Sequence, residues 1–400
     1  MDHLRSAEPK PAVDMPARIP PVRRRVPLAI RPFEHNAQSL QRLAAGYRLN
    51  FYGSGTQALA SALGQASRAR GVRPLLEVVL PAYGCPDLIA ASEHAGLRVR
   101  LVDVRPDQWG YDEAALRPAL SENTAAIVGV NLLGAGDQHG FLRPIADACG
   151  CHLVQDSAQY LPDVSMPMWS GDSVVFSFGR GKPLNLLHGG ALLSRASSPP
   201  PPSHSDRVPL RSRILASPAA ALAFNVATHR QVYPLVSRLP SLNIGETTYK
   251  PLMTCQPLGN AFRARVASAL RKYQGVQNYP CGLWQEALAE WEESGIRLLG
   301  CDGHLKADTQ YLRLPLLAPT ARMRDTILAR LTAAGLGASA MYRVPLDRIR
   351  GIPDSVRRQG PFPGAEALAS RLFTLPTHDG VDPSVIEHTR REVRAATRST

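Results

Sequence analysis

The sequence predicts an α/β fold, with a large domain built on a mostly parallel sheet and a smaller C-terminal α/β domain. Three observations support this. Short apolar segments with β-forming residues alternate with helical segments between about residue 40 and residue 178. A second, shorter alternation of helix and strand follows near residues 310–375. The length of 400 residues also exceeds what a single hydrophobic core usually supports.

The predicted elements follow one another in a regular order. Helices are predicted at residues 56–70, 87–94, 112–120 and 142–148. Strands are predicted at residues 76–80, 99–104, 125–130, 152–155 and 173–178. In the C-terminal part, strands are predicted at 310–317 and 372–375, with a helix at 323–334. Ligands of such sheets bind beyond the carboxyl ends of the strands, so polar residues directly after a strand are the candidates for function.

Changes in composition suggest the domain boundaries. Residues 1–30 are basic and proline-rich, and we predict a disordered tail. The large domain is predicted at 31–255 and includes a loop and helical insertion at 196–250, which begins near four consecutive prolines. Residues 256–400 are predicted to form a linking helix and the small domain.

The charge and the cysteines exclude several classes of protein. The net charge is +13, but 41 arginines and only five lysines are spread along the chain, which favours a solvated surface over a nucleic-acid site. No apolar run is long enough to span a membrane and no secretory signal is visible, so a cytoplasmic location is expected. Cys149 and Cys151 form an isolated pair, and no metal site is predicted.

The first candidate for chemistry is the segment Tyr52-Gly-Ser-Gly-Thr-Gln57, which directly precedes a predicted helix. Ser54, Gly55 and Thr56 would present backbone N–H groups and hydroxyls at the helix N-terminus, where a phosphate group is favoured. Ordinary helix capping by serine or threonine explains the same pattern. Phosphate binding therefore needs support from other residues.

The second candidate is Asp156, at the end of a predicted strand. A carboxylate in that position can keep a pyridine nitrogen protonated by ion pairing, although an aspartate that caps the next turn is the simpler explanation. The third is Lys182, which ends the glycine-flanked segment Ser177-Phe-Gly-Arg-Gly-Lys182. A desolvated lysine loses its proton more readily and can then act as a nucleophilic amine, but a surface lysine on a hairpin would also fit.

These three features occur together, in an order that resembles the DegT/DnrJ/EryC1/StrS family of aminotransferases. These are pyridoxal-phosphate (PLP) enzymes of the aspartate-aminotransferase fold, fold type I. The similarity extends from about Asn50 to about Ile386. It is carried by Gly53-Ser-Gly-Thr-Gln-Ala-Leu59, Val79-Leu-Pro-Ala-Tyr-Gly-Cys-Pro86, Val154-Gln-Asp-Ser-Ala-Gln159, Ser177-Phe-Gly-Arg-Gly-Lys182 and Gly189-Gly-Ala191, with weaker similarity at Met341-Tyr-Arg-Val-Pro-Leu346.

The resemblance implies a role for each matching residue. Lys182 would bind PLP as a Schiff base and move the proton during catalysis. Asp156 would pair with the pyridine nitrogen, and Gln159 would lie near the ring oxygen. Residues implied to bind the phosphate group are Gly55, Thr56 and Ser177. Asn260 resembles a residue that reaches the phosphate of the neighbouring subunit, which implies a homodimer with shared active sites.

Three positions depart from the family pattern. The aromatic residue that usually stacks on the cofactor ring corresponds to Cys85, so either Cys85 or the nearby Tyr83 is expected beside the ring. Asn131 and Asp347 stand where histidines are frequent in the family. The departure at Asp347 weakens any inference about a nucleotide sugar.

The expected function is transfer of an amino group from an amino acid donor, glutamate being the expected one, to a carbonyl acceptor. The family favours a keto sugar, often nucleotide-linked, in cell-surface polysaccharide or secondary-metabolite biosynthesis. A PLP-dependent lyase or dehydratase, or an aminotransferase for a non-sugar carbonyl compound, remains an alternative. A cofactor-binding regulator of transcription is disfavoured, because the residues before Gly53 contain no helix-turn-helix pattern.

Overall fold

The computed structural model describes most of the chain from residue 18 onward. The described residues are 18–22, 25–28, 37–134, 139–162, 169–199, 214–215, 217–236, 247–256, 258, 260–274, 282–300 and 311–399.

A seven-stranded sheet forms the centre of the large domain. Its strands are β1 (Tyr47–Tyr52), β2 (Glu77–Pro81), β3 (Arg98–Val102), β4 (Thr124–Val130), β5 (His152–Asp156), β6 (Ser173–Ser177) and β7 (Gly190–Arg195). The helices between them are α1 (Ala37–Leu43), α2 (Gly55–Arg70), α3 (Asp87–His94), α4 (Glu113–Ala119) and α5 (His139–Cys149). Every strand and helix predicted before residue 178 is present, with ends that differ by a few residues.

The strand order is β1-β7-β6-β5-β4-β2-β3. All neighbours from β3 to β6 are parallel, whereas β7 is antiparallel to both β6 and β1. In this register Asp156 lies between Val130 of β4 and Val175 of β6. Since parallel strands end at the same edge, the residues that follow β4, β5 and β6 meet there.

Helix α2 covers one face of this sheet. Its buried side is made of small residues, including Ala58, Ala62 and Ala66, so the helix can lie close to the strands. The buried Gln65 side chain accepts hydrogen bonds from the hydroxyls of Ser173 and Ser194, at 3.4 and 2.9 Å. Helix and strands are therefore held in a fixed register, which also fixes the first turn of α2.

The C-terminal part has its own sheet and core. The chain reaches this sheet through helices α6 (Pro218–Ala227), α7 (Tyr233–Val236) and α8 (Asn260–Gln274), of which α8 packs against the large sheet. Helix α9 (Gln285–Glu292) then leads to the antiparallel strands β8 (Arg297–Leu298), β9 (Arg313–Leu317) and β10 (Leu372–Pro376). The remaining helices are α10 (Ala321–Ala333), α11 (Asp354–Arg357), α12 (Pro363–Arg371) and α13 (Pro383–Arg398). The predicted fold class is thereby confirmed, while the domain boundaries stay predictions.

Asp103, which follows β3, connects the large sheet to helix α12 of the C-terminal part. Its Oδ2 and Oδ1 atoms accept hydrogen bonds from the backbone N–H groups of Gly364 and Ala365, both at 2.8 Å. These N–H groups lie in the first turn of α12, where helix donors lack partners within the helix. A carboxylate of the large domain therefore caps a helix of the C-terminal part.

The prediction of a disordered tail at residues 1–30 is wrong for part of that segment. Ile19 and Val26 are buried. The Ile19 N–H donates to Gly335 O at 2.7 Å, and the backbone of Val26 makes two hydrogen bonds with the Asn225 side chain. Ile19 and Val26 are apolar residues within a polar, proline-rich stretch, and they contact residues that are distant in sequence. Residues 1–17 lie outside the described residues.

None of the described helices is long and apolar enough to span a membrane. In the described part of the chain, no cluster of three or more histidine, cysteine or acidic side chains is arranged to bind a metal.

Candidate active site

A cleft lies where β4, β5 and β6 end. Its lining includes Asp156, Gln159 and Lys182, together with Gly55 and Thr56 from the start of α2. The other lining residues are Leu59, Cys85, Asp87, Leu88, Val130, Asn131, Leu132, Ala158, Ser177 and Tyr342. Six of the residues predicted to bind PLP or to take part in catalysis, and also Cys85, are thus brought to one place.

The first turn of α2 forms one wall of the cleft. Ser54 is the N-cap of this helix, and its hydroxyl accepts a hydrogen bond from the Gln57 N–H at 3.2 Å. Ser54 is therefore used for capping and is not part of the lining, whereas Gly55 and Thr56 are. The Thr56 hydroxyl donates to Asp87 Oδ2 at 2.9 Å, a contact that sequence reasoning did not anticipate.

Gly55 and Ser177 approach each other closely. A Cβ atom on Gly55 would lie 2.6 Å from the Cβ of Ser177 and 2.9 Å from its hydroxyl oxygen. The absence of a side chain at Gly55 thus allows the N-terminus of α2 to lie directly against the Ser177 hydroxyl. A helix N-terminus next to a hydroxyl suits an anionic group such as phosphate.

Asp156 stands at the end of β5 and is 8% exposed. Its Oδ1 accepts a hydrogen bond from the Ala158 N–H at 2.9 Å. Burial raises the pKa of the Asp156 carboxyl, while the Ala158 N–H and the positive charge of Lys182 act in the opposite direction. A buried carboxylate of this kind is favoured by a cationic partner, as a protonated pyridine nitrogen would be.

Lys182 is presented by a turn between β6 and β7. The turn is closed by hydrogen bonds from the Phe178 N–H to Gly189 O and from the Leu186 N–H to Phe178 O, both at 2.8 Å. Gly181 has φ of +69°, a left-handed conformation that glycine adopts without strain. The half-buried Lys182 side chain follows directly and lines the cleft.

The two candidates for ring stacking occupy different environments. Tyr83 is fully buried, and its ring packs edge-on against those of Trp109 and Tyr342. Its position does not support direct contact with a ligand, because no part of it is accessible. Cys85 does line the cleft, and burial raises the pKa of its thiol to about 12, so the sulfur stays protonated at neutral pH.

Sequence reasoning missed the contribution of Tyr342. This residue comes from the C-terminal part of the chain and lies at the cleft beside Cys85 and Gln159. The segment Met341–Leu346 resembles the family, but it indicates no role for Tyr342, because nothing local in the sequence shows that this residue meets the ends of the strands near residues 130–156. Asn131, at the position of a frequent histidine, donates a hydrogen bond to the Ser157 hydroxyl at 3.0 Å.

Asn260 is the first residue of α8. Its side chain lies outside the described residues, so its reach toward a neighbouring subunit stays a prediction.

The fold and the cleft together define a class of protein. A helix N-terminus with an adjacent hydroxyl, a buried strand-end carboxylate and a lysine on a glycine-flanked turn all meet at the edge of a mostly parallel sheet. This arrangement is that of a PLP-dependent enzyme of fold type I.

The chain belongs to the DegT/DnrJ/EryC1/StrS aminotransferase family, whose model matches residues 41–198 and 282–394. The resemblance seen in the motifs is thereby confirmed, as is the assignment to PLP-dependent aminotransferases.

Two relatives illustrate the similarity in sequence. The putative L-glutamine:3-amino-2,3-dideoxy-scyllo-inosose aminotransferase of Streptomyces kanamyceticus is 33% identical over 161 residues, which cover 38% of this chain and 36% of that protein. The erythromycin biosynthesis sensory transduction protein EryC1 of Saccharopolyspora erythraea is 26% identical over 353 residues, which cover 86% of this chain and 84% of that protein.

Solved structures share the fold. NtdA from Bacillus subtilis, with the bound cofactor PMP, superposes with a TM-score of 0.66 at 17% identity and covers 92% of this chain and 78% of its own. DesI, in the presence of its TDP-sugar product, superposes with a TM-score of 0.60 at 21% identity and covers 92% of this chain and 85% of its own.

Proposed function

We propose that this protein binds PLP and transfers an amino group from an amino acid, glutamate being the expected donor, to a keto sugar that is linked to a nucleotide. The pathway would be cell-surface polysaccharide or secondary-metabolite biosynthesis. The observation that carries the proposal is the meeting of Gly55, Ser177, Asp156 and Lys182 in one cleft. These residues come from three separate segments, and each supplies a chemical group that suits a different part of PLP.

The residues present fit this cofactor. The N-terminus of α2 at Gly55, which lies against the Ser177 hydroxyl, suits a phosphate group, and the Asp156 carboxylate suits a pyridinium nitrogen. When bound, PLP supplies an aldehyde carbon that reacts with amines and a ring that accepts electrons from the bonds at Cα.

Each residue has a separate task in the proposed reaction. Donors at Gly55, Thr56 and Ser177 would hold the phosphate group and so fix the position of the ring. Asp156 would keep a proton on the ring nitrogen. The Lys182 amine would hold the aldehyde carbon before the donor binds, and once displaced it would carry a proton away from Cα of the donor. The glycine-flanked turn leaves the amine free to move between these positions.

Membership in the family, one relative and one solved structure support a sugar-like acceptor. The Streptomyces relative is named for an amino-inosose, and DesI was solved with a TDP-sugar. We further propose a homodimer in which Asn260 of one subunit reaches the phosphate site of the other. The start of α8 lies beside the phosphate site of its own chain, because Phe262 packs on Gly189, close to Ser54 and Gly55, so the reach of Asn260 into the other subunit rests on the family resemblance.

The decisive experiment labels the lysine. Borohydride added to the PLP-loaded wild type should fix the cofactor covalently to Lys182, and peptide mapping should find it there. Lys182→Ala and Lys182→Arg should remain folded but unlabelled, with amino transfer reduced by about 10²–10⁴-fold or more, because arginine cannot give up its proton to react. The exposed Lys250→Arg change serves as the matched control and should leave both labelling and activity intact.

Two results would contradict the proposal. A label on any other lysine would refute the assignment of Lys182. If glutamate and other common amino acids fail to convert bound PLP to its amine form, as followed by absorption, the protein is not an aminotransferase. Keto sugars with and without a nucleotide, tested for the return to the aldehyde form, then decide the acceptor class.

A further inference from the structure

Three side chains form a connected row along the wall of the cleft. The Gln159 Nε2 atom lies 3.4 Å from the Tyr342 hydroxyl, to which it donates, and Tyr342 lies beside the Cys85 thiol. All three residues line the cleft. The row therefore links the segment after β5, a loop of the C-terminal part and the segment before α3.

Gln159 is held at both ends of its amide group. Its Oε1 atom accepts a hydrogen bond from the Leu133 N–H at 3.0 Å, so the nitrogen end of the amide must face Tyr342. The amide nitrogen carries two N–H groups. One donates to the Tyr342 hydroxyl, and the second has no acceptor among the residues that the structure describes. Since Gln159 lines the cleft, this second N–H is available to a bound ligand.

Tyr342 is itself fixed from behind. Its carbonyl oxygen accepts a hydrogen bond from the Tyr83 hydroxyl at 3.0 Å, and the two rings meet edge-on with centroids 5.6 Å apart. The preceding residue Met341 has φ of +55°, a left-handed conformation that an L side chain rarely adopts. Burial raises the pKa of Tyr342 well above its ordinary value, so its hydroxyl stays neutral and can accept from Gln159.

We propose that Tyr342 is a positioning residue that acts through Gln159: its hydroxyl, which lies beside the Cys85 thiol, orients the amide so that the second N–H points at the ring oxygen of bound PLP. This inference rests on the proposed function. It assigns a role to a residue of the C-terminal part and to the thiol that replaces the aromatic side chain expected at position 85.

A hydrogen bond donated to the ring oxygen withdraws negative charge from it. That charge otherwise stabilises a proton on the nearby Lys182 nitrogen when the cofactor is attached there. Loss of the oriented N–H should therefore raise the pH midpoint at which the absorption of the lysine-bound cofactor changes.

The test is a pH titration of the visible absorption of the PLP-loaded protein. Gln159→Leu should raise the midpoint by roughly one pH unit or more, and Tyr342→Phe by roughly half a unit to one unit. The double variant should match Gln159→Leu alone, because Tyr342 acts only through the amide. Cys85→Ala should shift the midpoint less and in the same direction, and Cys85→Ser should restore it. Tyr249→Phe, a change outside the cleft, should have no effect.

Three outcomes separate the possibilities. Additive shifts in the double variant would overturn the inference, because the tyrosine would then act independently of Gln159. An unchanged midpoint in Tyr342→Phe, with normal PLP binding and an unchanged unfolding curve, would also overturn it. If the wild type forms no absorption band with PLP at all, the proposed function itself fails, and that result is recognised before any variant is compared.

Discussion

The close approach of Gly55 to Ser177 makes Gly55→Ala a sharp test of the phosphate site. The new methyl carbon would lie 2.6 Å from the Cβ of Ser177, 2.9 Å from its hydroxyl oxygen and 3.2 Å from its Cα. Carbon atoms in contact prefer a separation of about 3.5–4.0 Å. The start of α2 and the end of β6 must therefore move apart by roughly 1 Å.

Neither side of this contact yields easily. Ser177 ends a strand that is paired on both sides, and α2 is packed on the sheet through buried alanines and Gln65. We expect the substitution to lower the free energy of unfolding by about 1–3 kcal/mol, the usual cost of overpacking. If the phosphate donors at Gly55 and Ser177 are displaced together, affinity for PLP should fall by about 10–100-fold, equivalent to about 1.4–2.8 kcal/mol.

The assay combines a titration of the apoprotein with PLP, followed by absorption, and urea unfolding of the same samples. Gly64→Ala is the matched control, because it changes a glycine to alanine in the same helix and meets only the flexible end of Arg68, at 3.4 Å. It should keep the affinity for PLP and stabilise α2 by up to about 1 kcal/mol. If Gly55→Ala retains both the affinity and the stability of the wild type, the cofactor site has been placed wrongly.

Two further predictions concern stability. Asp103→Ala removes the carboxylate that caps α12 and leaves the N–H groups of Gly364 and Ala365 without this partner. The free energy of unfolding, measured in urea, should therefore fall by about 2–4 kcal/mol. A loss below about 0.5 kcal/mol would show that water replaces the cap. Burial lowers the pKa of His152, whose Nε2 lies 3.0 Å from the Ser173 hydroxyl, so the folded state favours the neutral ring. This contribution is present above the unfolded pKa of about 6.5 and is lost as the pH falls below it. Unfolding measured between pH 8 and pH 5 should therefore show a steeper loss for the wild type than for His152→Gln, and equal slopes would contradict the assignment.

The large sheet could be predicted from the sequence because its parallel strands are buried on both faces. Strands β2, β4 and β6 contain short apolar runs, which can be recognised in the sequence without knowledge of their partners. Strand β1 is different, because Tyr47–Tyr52 is mixed in polarity and pairs antiparallel with β7, about 140 residues later. No local pattern reveals such a partner, and β1 was not predicted.

The candidate site likewise contains residues that could be predicted from the sequence and contacts that could not. Asp156 ends a strand and Lys182 follows one beside glycines, so their sequence context already indicates a position at the edge of the sheet. Whether Tyr83 points into the cleft or beneath it depends on Trp109 and Tyr342, which are distant in the chain. The contact between Thr56 and Asp87 likewise joins the starts of two different helices and could not be predicted from either.

Residues 18–22 precede the family match, which begins at residue 41, yet contacts distant in sequence make them part of the structure around the cleft. Arg313 is buried, and burial lowers the pKa of its guanidinium to about 9. In the described part of the chain its hydrogen-bond partners are a hydroxyl and carbonyl oxygens, including that of Pro21. The methyl groups of the neighbouring Val22 lie 3.3 Å from the position that a Cβ on Gly181 would occupy. The segment at residues 18–22 therefore lies between β9 and the turn that carries Lys182, so displacement of this segment would alter the packing of both.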